Sequence, residues 1–282
     1  MIYEKYEGNN ISVQIENVDE RNPYTGIGAK AFLSCKNVYE IMLPDTICEI
    51  GAWAFAHMKE LKRINVPAKK ISFGKDVFLD CDNLTEIIVY PDESGNQGLS
   101  CLLASCITIL NTYELLDFEI ASKQNEAWCD MYDRELVRFI SQTDDMGFQP
   151  VMVGWFNDEG EDVQLQRHIR KSKENKIKLS FLRLKNDAYV KSDTKETILA
   201  YLRSQIKQLD EGDDLAWEIL RDVLAQDLQY AKLAVANELL NEELLLKLIK
   251  YLNDNNTSTE LVAHLVLALE EKNENIDQQF DL

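Results

Sequence analysis

The chain has 282 residues, 45% of them hydrophobic, enough for buried cores in two domains. Its formal net charge of −19 repels polyphosphates and anionic lipids, which argues against nucleic acid and anionic membrane surfaces as partners. No run of about 18 apolar residues is present to span a bilayer, and Met1 to Tyr6 lacks an apolar signal-like segment, so a cytoplasmic protein is expected.

Residues 1–23 read as an irregular cap, in which Ile11, Val13 and Ile15 alternate as a strand should and residues 17–23 form a loop. Three copies of one pattern follow, at a fixed interval of 23 residues. The first has Ile27, Gly28, Ala31, Phe32, Cys35, Val38, Ile41 and Leu43. The second has Ile50, Gly51, Ala54, Phe55, Met58, Leu61, Ile64 and Val66, and the third Phe73, Gly74, Val77, Phe78, Cys81, Leu84, Ile87 and Val89. A short fixed period is the mark of a solenoid, whose units bury their apolar sides against one another.

The period-2 pairs (Ile41 and Leu43, for example) point into the coil, so their neighbours point outward. Two outward rows result: Glu40, Arg63, Glu86 and Met42, Asn65, Ile88. Stacked in register, the first row alternates in charge, which suits strands about 4.8 Å apart. The glycines belong where backbones approach closely. The phenylalanines form an aromatic column on the back of the coil. Pro44 and Pro67 end the first two strands, and Pro91 follows the third. Cys35, Met58 and Cys81 share one packing position. Two coils apart, at roughly 9–10 Å, the cysteines are too distant to bridge, so reduced structural thiols are expected.

These residues resemble the BspA-like leucine-rich repeat, whose copies read L-x-x-I-x-[IVL]-P followed by I-G-x-x-A-F-x-x-C. The resemblance covers residues 24–92. It implies a right-handed solenoid with a parallel sheet, and a role in adhesion or protein–protein contact.

Residues 92–98 form a polar, glycine-bearing linker, and the domains are set at 1–93 and 99–282. Residues 99–116 read as a buried helix, followed by a short strand around Glu119. Helical spacing then brings Trp128, Met131, Tyr132, Leu136, Phe139 and Ile140 to one face. Further helices are expected over 163–184, 192–209, 215–225, 230–240, 242–252 and 259–270. The fold class is thus α+β, a short solenoid followed by an all-helical domain. The consecutive short helices resemble an α-solenoid of HEAT or armadillo type, with a plain bundle as the alternative.

The candidate site is the outward strand face: Glu40, Met42, Arg63, Asn65, Glu86 and Ile88, presented to a protein or peptide partner. An alternative places a ligand or regulatory site in the helical domain near Trp155, between acidic clusters. Those clusters lack the spacing of a calcium loop. Arg167, Arg170, Lys171, Lys173, Lys176, Lys178, Arg183 and Lys185 concentrate positive charge, read as a solvated helix face or one paired with the chain's own carboxylates, with docking of an acidic partner as the alternative. His57, His168 and His264 stand in no nucleophile motif, and no C-x-x-C, metal-ligand spacing or phosphate loop occurs. No catalytic residue, metal or cofactor is therefore assigned, and the oligomeric state is left open.

Overall fold

The computed structural model describes residues 1–17, 19–91, 97–123, 126–150, 160–210 and 214–280. By packing the chain divides into two units, Met1–Glu135 with Ala188–Val190, and Leu136–Asp187 with Lys191–Leu282.

The first unit holds eight short strands: β1 (Ile2–Tyr3), β2 (Ser12–Gln14), β3 (Gly26–Ile27), β4 (Glu40–Met42), β5 (Glu49–Ile50), β6 (Arg63–Pro67), β7 (Ser72–Phe73) and β8 (Glu86–Tyr90). They make two four-stranded parallel sheets, β1-β3-β5-β7 and β2-β4-β6-β8, so the chain winds through about four turns of a solenoid. The register is the one the repeat requires. Val13, Ile41, Ile64 and Ile87 stand side by side, as do Glu40, Arg63 and Glu86. The first turn is longer than the others, pairing Ile2 with Gly26 and Val13 with Ile41, which hides it from a period of 23.

Burial of the repeated apolar positions drives the stacking. Ile41, Leu43, Phe55, Leu61, Ile64, Val66 and Ile87 are all fully buried. Phe32, Phe55 and Phe78 form the aromatic column, with ring centroids 5.4 and 5.3 Å apart. Tyr3 and Tyr6 stack on Phe32 and close its first end. A Cβ at Gly51 would lie 2.5 Å from the Ala29 amide nitrogen, and one at Gly74 2.4 Å from that of Ala52, so these coils touch through backbone.

Helix α1 (Gln97–Thr108) packs on β8 and covers the last strand. Tyr113 adds its hydroxyl, which accepts from the Phe78 amide at 3.2 Å. The first packing unit thus runs past the linker, through residues placed with the helical domain on sequence grounds. Helix α1 stops eight residues before the expected end, near Asn111, whose φ of 49° turns the chain.

The strand expected around Glu119 is instead α2 (Phe118–Ser122), a short helix. Asp117 begins it by accepting a hydrogen bond from the Ile120 amide. Phe118 and Ala121 are buried, an i,i+3 pair that suits a helix. Ile11 also departs from expectation. Val13 and Ile15 are buried, but Ile11 precedes the strand and is 69% exposed.

Helix α3 (Glu126–Ile140) bridges the two packing units in sequence. The second unit continues with α4 (Glu161–Lys185), α5 (Ser192–Asp210), α6 (Asp214–Gln226), α7 (Leu228–Ala236), α8 (Glu242–Asp254) and α9 (Thr259–Phe280). Helix α4 packs against α5, α6 and α7, while α9 packs against α7 and α8. Asp227 and Asn241 cap α7 and α8 by accepting from the Gln229 and Leu244 amides. Helix α7 ends before the expected residue 240, at a turn where Glu238 has φ 56°.

Candidate functional site

The outward row Glu40, Arg63, Glu86 is in register and closed on itself. Arg63 Nε donates to Glu86 Oε2 at 2.5 Å, and its Nη1 lies 3.9 Å from Glu40 Oε1. The Glu86 hydrogen bond raises the Arg63 pKa further above its usual value. All three side chains are half-buried, so much of their charge is spent within the ladder.

The second row divides. Met42 is 39% exposed and Ile88 half-buried, but Asn65 is only 6% exposed. Its side-chain amide donates to Glu40 Oε1 at 2.9 Å, with a longer 3.5 Å contact to the Ile41 carbonyl. Asn65 sits in register between Met42 and Ile88, and the two longer side chains shade the shorter one. Ser12 and Gln14 extend both rows by one exposed strand. At the far end the Tyr90 hydroxyl donates to the Leu43 carbonyl, and burial pushes its pKa up to about 12.

Sequence reasoning missed the groove beside this face. Asn9, Ile11, Lys36, Asn37, Tyr39 and Glu60 line a space of about 500 Å³. Tyr39 is 40% exposed, and Lys62 Nζ lies 5.2 Å from its ring centre. The Ile11 carbonyl accepts from the Tyr39 and Glu40 amides, so the groove adjoins the strand row. The signal was a large aromatic just before the Glu40 row, where the next two coils carry Lys62 and Thr85.

Five of the basic residues of α4, Arg170, Lys171, Lys176, Lys178 and Lys185, pair with the chain's own carboxylates. Arg170 reaches Glu218 at 2.8 Å, Lys178 reaches Glu174 at 2.5 Å, and Lys185 reaches Asp227 at 2.7 Å. Lys176 is buried, donating to Asp144 Oδ1 at 2.7 Å and to the Gln142 carbonyl. Trp155 and the rest of residues 151–159 lie outside the described residues.

Cys81 is a packing residue, as its repeat position requires. Its thiol donates to the Phe55 carbonyl at 3.0 Å, and burial pushes its pKa up to about 12. Such a thiol is a poor nucleophile. His57 bonds Asp80 at 2.8 Å on the surface, and His168 contacts the Met146 carbonyl. Among the described residues no group of His, Cys, Asp and Glu could hold a metal ion, and no helix is long and apolar enough to cross a membrane.

Comparison with known proteins gives one match. Residues 9–117 match the family model described as BspA type leucine rich repeat region (6 copies). No curated protein and no solved structure matches the chain. The match ends at Asp117 and leaves the helical region unclassified. It takes in β2 and α1, as well as the three regular coils. Residues 9–117 are therefore a BspA type leucine-rich repeat region, and its repeat family points to a protein-interaction module.

Proposed function

We propose that the chain is a non-enzymatic interaction module that binds a protein or peptide across the β2-β4-β6-β8 face and the groove beside it. The observation that carries this reading is the set of accessible apolar side chains beside a satisfied charge ladder. Ile11, Tyr39 and Met42 are exposed, while Glu40, Arg63 and Glu86 are fixed beside them. Apolar side chains supply the binding energy, and the fixed charges set orientation. Asn65 acts by holding Glu40 in place and Ile88 offers its half-exposed edge. Four strands spaced about 4.8 Å apart make a face smaller than the ~800 Å² per partner of a standard interface, so the groove adds area the partner needs.

Immobilised full-length protein, wild type and Met42→Arg or Tyr39→Ala, tests this reading by capture from cell lysate. Both substitutions fall at exposed positions and should leave the thermal midpoint nearly unchanged. Loss of the same captured protein from both variants is expected. Undiminished capture by both would refute binding at this face.

A further inference from the structure

A different edge of the solenoid carries its own pattern. Each of the three regular coils turns through two residues of left-handed backbone, and none of the six is glycine: Lys30 and Ser34, Trp53 and His57, Asp76 and Asp80, with φ between 51° and 61°. Regular backbone bonds stack them. Lys30 and Ser34 donate to the Ala52 and Ala56 carbonyls, and Trp53 and His57 to those of Lys75 and Leu79. The edge therefore presents fixed rows across the coils: Lys30, Trp53, Asp76; Leu33, Ala56, Leu79; Ser34, His57, Asp80; Lys36, Lys59, Asp82.

Apart from Ala56, which is buried, these rows are accessible, and they carry large apolar side chains. Trp53 is 36% exposed, Leu33 39% and Leu79 44%. Charge runs from one end to the other, with Lys30 and Lys36 on the first coil and Asp76, Asp80 and Asp82 on the third. On the middle coil, His57 and Lys59 hold Asp80 and Asp82 at 2.8 and 3.0 Å. The edge is close to neutral, with Lys30, Lys36, Lys59 and Lys75 offsetting Asp76, Asp80 and Asp82, although the chain carries −19.

From this we infer that the edge pairs with the same edge of a second copy of the chain, about a two-fold axis running along the middle coil. That operation sets the first coil of one copy against the third coil of the other. Lys30 then meets Asp76, Lys36 meets Asp82, Leu33 meets Leu79, and the two Trp53 rings meet at the centre. Every contact off the axis occurs twice, as an isologous interface requires, while Trp53, His57 and Lys59 of the middle coil each face their own copies on it. The perpendicular two-fold would bring Lys30 against Lys36 and Asp76 against Asp82 with no opposite-charge pair among these rows to offset them, so the first arrangement is favoured. Three coils span only about 10 Å, well below a standard interface, so the dimer is weak and salt-sensitive.

Sedimentation velocity of the full chain over a wide concentration range tests the pairing. Wild type should shift from monomer to dimer with concentration, less so at high salt. Lys30→Asp or Asp76→Lys alone should weaken dimerisation about tenfold by opposing like charges, and the double variant should recover it. Because Lys30 lies 4.9 Å over its own Trp53 ring, and Asp76 accepts from Trp53 Nε1 at 3.3 Å, Leu33→Glu, at a 39% exposed position outside those contacts and outside the groove, gives an independent disruption that should weaken the dimer as well. A monomer at every concentration would overturn the inference. So would a dimer indifferent to both single swaps while circular dichroism shows each variant folded.

Discussion

The two packing units hold themselves together in different ways. In the solenoid each residue meets its counterpart one coil away, about 23 positions along the chain, and the same contact recurs. Phe32 stacks on Phe55 and Phe55 on Phe78; Glu40 pairs with Arg63 and Arg63 with Glu86. In the helical unit the polar contacts are singular and of unequal span. Lys176 reaches back 32 residues to Asp144, Lys185 forward 42 to Asp227, and Arg170 forward 48 to Glu218. A defect in the first unit strikes a column that every coil shares, whereas a defect in the second strikes one bond between two elements.

Removing the middle of the column should therefore have the largest effect. Phe55→Ala leaves Phe32 and Phe78 facing a void, since Phe55 is fully buried between them. A loss of about 3–5 kcal/mol is expected, read as an earlier denaturation midpoint. Hydrogen exchange followed by peptide should speed up in all the coils, not in one. If only peptides around Phe55 respond, the coils are not one cooperative column.

The matching change in the second unit is Lys176→Met. It removes the cation from Asp144 and the donor from the Gln142 carbonyl, at a site where Lys176 is 2% exposed. Breaking a buried pair from one side costs roughly 3 kcal/mol, somewhat less here because Asp144 keeps 25% exposure. The double variant Lys176→Met, Asp144→Leu should recover part of the loss, because no charge is then left unpaired. Failure to recover would mean that the Lys176 hydrogen bond to Gln142, rather than the ion pair, holds this corner.

Glycines sharpen the contrast at smaller magnitude. Gly51→Ala drives a Cβ to within 2.5 Å of the Ala29 backbone. A Cβ at Gly160, which opens α4 without a side-chain cap, would meet nothing within 4 Å. The first change should cost about 1–3 kcal/mol. By contrast, Gly160→Asp should gain up to about 0.5 kcal/mol by capping the helix and facing its positive end. Equal effects from the two would show that the coils do not meet through backbone at Gly51.

The same difference explains what was legible in the sequence. A strict period fixes register, so Gly28, Phe32, Ile41 and their counterparts could be placed in stacked rows from spacing alone. Exposure within a row depends on the lengths of neighbouring side chains, and for that reason Asn65 was misread as accessible. Ile11 was misread because its alternation with Val13 and Ile15 continues past the end of the strand. The insertion in the first turn hid β1 and β2 as full members of the sheets. In the helical part, apolar spacing marked most helices but not their partners. Residues 117–122 could be settled only by the cap that Asp117 makes, since an apolar pair around Glu119 suits a strand as well as a helix.

The smallest expected effect separates the units by the sign of their response to pH. Glu174 on α4 is partly buried, which by itself raises its pKa; the Lys178 hydrogen bond, with the charges of Lys178, Lys171 and Arg170, outweighs this and leaves it lowered. A carboxylate lowered on folding contributes stability above its unfolded pKa of about 4.3, and that contribution is lost as pH falls through the lower folded value. In the solenoid, burial raises the Cys81 thiol to about 12. The unfolded thiol ionises near 8.5, so the protonated folded form loses stability as pH rises from there towards 12. Acid should thus loosen α4 first, and alkali the coils. Glu174→Gln should flatten the acid response of α4 by a few tenths of a kcal/mol at most, given its solvent screening, and Cys81→Ala should reduce the alkaline response of the coils. Peptide-resolved hydrogen exchange at pH 4 and pH 10 reads both arms at once, and a Glu174→Gln protein whose α4 still loosens in acid as wild type does would show that this helix is held by apolar packing rather than by its ion pairs.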